Sequence, residues 1–182
     1  MISPENFLKN WNTAKEGKLI VFNENDLIIN SISPQTRDFL VNAGLPETPP
    51  PYLEFTSSNG ILHSLIEKFN MPSKFKDYWY LGTTGSGDPV CLKVNDNIVY
   101  LNNGDNYNEI FINSSINQFA ESILLFNNMI DKAIEVNGED AFLENDIPEE
   151  LITRLKEDLK RIDKKSIDSN SFWRTEIENL QE

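Results

Sequence analysis

Cysteine is almost missing from this chain. Cys91 is the only one in 182 residues, so no intrachain disulfide can form, and a reducing compartment fits. Histidine is equally scarce: His63 stands alone, too little for a zinc site built from histidine and cysteine. No apolar run approaches the ~20 residues that a membrane-spanning helix needs. Met1 to Asn6 has no basic segment leading into an apolar one, so no signal peptide is expected, and the cytoplasm is the expected location. Basic residues are also few. Lysine and arginine total 16 against 29 acids, for a net charge of −13 and a pI near 4.5. Such a field repels nucleic-acid phosphates and anionic lipid and speeds encounter with basic partners, although acidity also serves solubility alone.

What is present is enough for a core. Hydrophobic residues make up 39% and aromatics 10% of the chain, and a domain of this length buries roughly 70% of its unfolded surface. One domain over residues 1–182 is expected, with residues 139–182 as a helical C-terminal extension. Ser3 and Pro4 open a short helix carrying Phe7, Leu8 and Trp11. Leu19 to Phe22 reads as extended, and Leu27 to Ile29 as continuing or pairing with it. Ser33 and Pro34 start a second helix, with Gly44 in the capping position at its end.

The middle of the chain is β-rich. Asp77 to Leu81, Pro89 to Val94, Ile98 to Leu101 and Glu109 to Ile112 are short runs of β-branched and aromatic residues, with Asn95, Asp96 and Asn97 as a hairpin turn. Tyr78 and Tyr80 face opposite to Trp79 and Leu81, and Ile98 and Tyr100 opposite to Val99 and Leu101. A sheet apolar on both faces must be covered on both, and the flanks should supply the helices. Ser115 to Gln118 forms a capping box ahead of Ile116, Phe119, Ile123, Phe126 and Ile130, and Gly138 ends that helix. A second start at Asp146 to Glu149 precedes Leu151, Leu155 and Leu159, and a last helix carries Phe172, Trp173 and Ile177. The expected class is α+β, a mainly antiparallel central sheet covered by N-terminal and C-terminal helices.

Reactive machinery is hard to assemble from these residues. His63 and Glu67 could share a helix face, but two ligands make no zinc site. Ser86 sits in Thr84-Gly85-Ser86-Gly87-Asp88, without the glycines two positions either side that a nucleophile elbow requires. Gly85 and Gly87 lead into a strand where a phosphate cradle leads into a helix. Cys91, between Val90 and Leu92, reads as a buried, inert thiol. No enzyme activity, metal or cofactor is expected. Two polar segments suit recognition better. Glu139, Asp140, Glu144 and Asp146 belong to an acidic stretch without a base, which also fits a solvated loop before a helix. Asp105, Asn106 and Tyr107 place one aromatic in a polar loop, a pattern shared by recognition rims and ordinary turns.

The central block also resembles a known family. Tyr80-Leu81-Gly82, then Gly87-Asp88-Pro89-Val90-Cys91-Leu92, Val99-Tyr100, Phe111-Ile112-Asn113-Ser114-Ser115 and Phe119-Ala120-Glu121-Ser122 are similar to the fourth subgroup of the SUKH superfamily. Phe39-Leu40 and Gly44-Leu45-Pro46 fit the same pattern. The resemblance runs over residues 34 to 128. It implies an α+β fold and the role of an immunity protein, which binds and neutralises a cognate bacterial toxin of a polymorphic toxin system and has no catalytic residues to carry over. The shared residues read as structural, with Gly82, Gly87 and Asp88 shaping turns. The toxin, for example a basic nuclease, would be met by a monomer or homodimer with no direct nucleic-acid or membrane contact. The alternative is a regulatory scaffold of the same fold with a non-toxin partner.

Overall fold

Serines begin four of the helices, at Ser3, Ser33 and Ser115 as the sequence predicts and at Ser64 besides. In the computed structural model, which describes residues 1–29 and 32–181, each of four serine hydroxyls accepts a hydrogen bond from the amide three residues on. Ser3 caps α1 (Pro4–Asn10), Ser33 caps α4 (Pro34–Asn42), Ser64 caps α5 (Leu65–Phe69) and Ser115 caps α6 (Ile116–Asn137). Between α1 and α4 lie α2 (Thr13–Glu16), β1 (Leu19–Ile20) and α3 (Glu24–Ile29). The extended reading of Leu27 to Ile29 is therefore wrong. The side chain of Asn23 accepts from the Asn25 amide at 2.9 Å and its carbonyl from the Leu27 amide at 3.4 Å, which winds a turn. Leu27 is buried while Ile28 is half exposed, one apolar side that a helix satisfies. β1 pairs antiparallel with β2 (Leu45–Pro46). At Gly44, between α4 and β2, a β-carbon would sit 2.3 Å from the Ile20 carbonyl oxygen, so only glycine lets these two segments close.

The main sheet is a five-stranded antiparallel meander of β3 (Leu53–Glu54), β4 (Tyr78–Thr84), β5 (Pro89–Lys93), β6 (Ile98–Asn102) and β7 (Asn108–Asn113), each bonded to its neighbour in chain order. Alternation sorts the side chains as expected. Trp79, Leu81, Val90, Leu92, Ile98 and Ile112 join one large core with Phe7, Phe39, Phe119, Phe126 and Trp173. Tyr80, Cys91, Val99 and Leu101 point the other way, into a smaller cluster with Leu65, Met71 and Phe75. The terminal helices cover the first face. The second is covered by α5 and the turn at Ser73–Phe75, inserted between β3 and β4, so the flanks do not supply all of the cover.

The C-terminal helices α7 (Glu149–Ile162) and α8 (Phe172–Asn179) bury Leu155, Leu159, Phe172, Trp173 and Ile177 in the same core as the N-terminal Phe7. Each such side chain contributes about 1.5–3 kcal/mol. Their docking is also polar. The indole nitrogen of Trp173 donates to the Asn113 side-chain oxygen at 2.8 Å, and Asp163, only 5% exposed, accepts from the Ser114 amide at 2.6 Å and its hydroxyl at 3.2 Å. These bonds fasten the end of β7 to both helices.

Candidate interaction surface

The opposite end of the sheet is built from turns. In the β4–β5 connection, Gly87 donates to the Thr84 carbonyl at 2.9 Å and Thr84 to the Asp88 carbonyl at 2.9 Å. The Asp88 carboxylate then accepts from the backbone amide of Asn103 at 2.7 Å, and the Asn103 side chain donates to the Gly87 carbonyl at 3.3 Å. The β4–β5 and β6–β7 turns are thereby locked side by side. In the second turn Asn106 and Tyr107 both adopt left-handed backbone, at φ 52° and 61°. Tyr107 is 41% exposed and sets its ring edge against Phe75, 5.8 Å between centroids. Asp105 and Asn106 are exposed.

A proline-rich bend, with a cis bond between Pro50 and Pro51, brings Tyr52 against the first turn. A β-carbon on Gly85 would lie 2.9 Å from the Tyr52 β-carbon, so this approach requires glycine. Tyr52 is 64% exposed, and its other side meets Phe142 at 6.0 Å. Phe142, with the buried Ala141 and Ile147, anchors the loop between α6 and α7. The Asp146 amide donates to the Ala141 carbonyl at 2.8 Å, and the Asn145 side chain donates to the Asn179 carbonyl of α8 at 3.2 Å. Glu139, Asp140, Glu144 and Asp146 are displayed to solvent on this ordered loop. The first of the two segments singled out from the sequence thus adjoins the β4–β5 turn through Asn103, and the second adjoins Tyr52 through Phe142.

Beside Tyr52 and the β4–β5 turn opens a cavity of about 310 Å³, lined by residues that include Tyr52, Ser86, Asp88, Tyr100, Phe172 and Glu176. Sequence reasoning missed it as a site. Phe172, Thr175 and Glu176 do share one face of α8 by helical spacing, but nothing local announces that Tyr100 on β6 meets them. The rings of Tyr100 and Phe172 lie edge to face at 6.1 Å. Burial pushes the Glu176 carboxyl from 4.5 up to about 7. The Tyr100 hydroxyl is raised as well, by burial first and then by the nearby charges of Asp88 and Glu176.

The residues weighed for catalysis are scattered. Ser86 lines this cavity without His63. The α5 helix starts only at Leu65, so His63 precedes it and shares no helix face with Glu67, whose carboxylate accepts from the Ser64 hydroxyl at 2.8 Å. Cys91 is fully buried, and that burial raises its thiol pKa. Among the described residues no group of three histidine, cysteine or acidic side chains is placed to hold a metal, and no helix is long and apolar enough to cross a membrane.

The scaffold is α+β, built on a five-stranded antiparallel sheet, with exposed polar turns and an exposed acidic loop. The chain belongs to the SUKH-4 immunity protein family, whose model matches residues 5–179. The match takes in the terminal helices as well as the 34–128 stretch whose motifs carried the resemblance. No curated protein and no solved structure matches the chain.

Proposed function

We propose that this chain protects its cell by binding a cognate bacterial toxin and covering that toxin's active site or substrate channel. Membership in an immunity protein family over nearly the whole chain carries the reading. The surface we assign to the toxin is the open end of the sheet, where Asp105, Asn106 and Tyr107 stand on one side and Glu139, Asp140, Glu144 and Asp146 on the other. Exposed Tyr52 and Tyr107 supply aromatic anchors, and the acids form a charged rim, the combination that gives protein interfaces their few dominant contacts. Nanomolar binding needs about −12 kcal/mol, within reach of such a cluster. A net charge of −13 favours a basic toxin, such as a nuclease, whose encounter it would accelerate. The complex forms in the cytoplasm, with this protein as monomer or homodimer.

Co-expression with a toxin encoded by a neighbouring gene, where one is found, tests the proposal. Survival with this chain and killing without it is the expected outcome; a toxin of undiminished potency ends the reading. Raised salt should slow association far more than it speeds dissociation.

A further inference from the structure

The cavity at the open end has a composition that selects its occupant. Its volume, about 310 Å³, stands at the bottom of the ~300–1,000 Å³ range of ligand pockets, suited to one long side chain. Three aromatic rings, of Tyr52, Tyr100 and Phe172, contribute to its walls, and two carboxylates, Asp88 and Glu176, line it with them. None of its lining residues is basic. Asp88 is already occupied by the Asn103 amide. The Glu176 carboxylate and the Tyr100 hydroxyl have no hydrogen-bond or ion-pair partner among the described residues, although both are about half buried or more. The basic residue nearest in sequence on α8, Arg174, is held by Glu178 at 2.5 Å.

An anion entering here would meet two carboxylates, and a purely apolar group would leave Glu176 desolvated and unpaired. A cation answers both. Aromatic faces attract it through their quadrupoles, and a carboxylate in a partly dehydrated site forms a charge-assisted hydrogen bond with it. The chain already uses this chemistry on its second face, where the Lys68 ammonium lies 4.4 Å from the centre of the Tyr80 ring. Guanidinium fits better than ammonium, because it is planar, stacks on rings and can bond a carboxylate through two N–H groups.

We infer that this cavity is the socket for an arginine side chain presented by the partner protein, gripped by Glu176 and the rings of Tyr52, Tyr100 and Phe172. The inference rests on the open end being the partner-binding surface. It makes the acidic rim a guide toward the site and the cavity the point where register is set.

The test needs no toxin. Amide chemical shifts of the purified full chain are followed by NMR during titration with N-acetyl-arginine amide, and in parallel with its uncharged isostere N-acetyl-citrulline amide. The arginine compound should move the resonances of Gly85, Ser86, Asp88 and Thr175, and bind at least fivefold more tightly than the citrulline one. Glu176→Gln should lower that affinity at least fivefold with an unchanged fold by circular dichroism, while Glu24→Gln on α3 leaves it as it is. Equal binding of the two compounds, or shifts confined to residues 139–150, would overturn the socket. Protection in co-expression reports on the toxin reading separately: a chain that protects but ignores the arginine compound loses only this inference.

Discussion

At one end of the five-stranded sheet helices hold the connections in place; at the other the turns are bonded to one another and face a cavity. The β5–β6 hairpin reaches the N-terminus of α4, where Asp96 accepts from the hydroxyls of Ser33 at 2.8 Å and Thr36 at 2.7 Å. The end of β7 is fastened through Asn113 and Ser114 to Trp173 and Asp163. At the opposite end Asp88 and Asn103 join two turns to each other, and Glu176 stays unpaired among the described residues. Asp96, Asn113 and Asp163 are thus paired where they join strands to helices, while Glu176 faces the cavity without a partner among the described residues. Leaving a buried polar group unpaired costs about 1–3 kcal/mol, which is why the inferred socket supplies Glu176 with a partner's cation.

The sharpest way to break the contrast is at the tied end. Trp173→Ala removes a fully buried ring and strands the Asn113 oxygen, and should cost about 4 kcal/mol in urea unfolding. Asp163→Ala frees the donors of Ser114 within the core and should cost about 3 kcal/mol by the same measurement. Asp96→Ala removes two hydroxyl partners in a half-buried place, for a loss of about 1–2 kcal/mol. Two of these changes behaving as neutral would remove the distinction between the ends.

Glu176 sharpens it in the other direction. Its folded pKa is raised to about 7 from an ordinary 4.5, so the folded chain holds the proton more tightly than the unfolded one. Stability contributed at this position is full below about 4.5, falls as pH rises toward 7, and is flat above. Glu176→Gln should therefore leave stability unchanged at pH 4 and raise it at pH 8, by on the order of 1 kcal/mol once partial solvent exposure is allowed for. Thermal melts of both proteins at the two pH values check the sign, and equal behaviour at pH 8 would contradict it. The smallest expected effect on folding is at the rim. Tyr107→Ala and Asp140→Asn should stay within about 0.5 kcal/mol of the parent in stability while weakening partner binding, measured by calorimetry against the toxin.

Much of the scaffold is readable along the chain because it is specified locally. Ser3, Ser33 and Ser115 announce helices through bonds spanning three residues, Gly138 closes α6, and the four central strands fall near their β-branched runs. Leu27 to Ile29 misled because a short apolar triplet suits a strand or a helix equally, and the decision came from Asn23 and from which residue the core needed. Cover on both faces was expected, but its source on the second was missed for a related reason: Leu65, Met71 and Phe75 are too sparse to signal a layer until Tyr80, Cys91 and Val99 are seen beneath them. The two polar segments were visible, but the cavity beside the β4–β5 turn was not.

The chain by itself settled what neighbouring residues can settle: the α+β class, the strand faces, the helix caps and the acidity, all governed by short-range bonding and periodicity. Only the tertiary structure decided that Tyr52, Tyr100 and Glu176, from three distant segments, enclose one cavity. Their meeting depends on how the proline bend, the sheet and α8 pack together, and such long-range packing leaves no periodic trace in any one stretch of sequence.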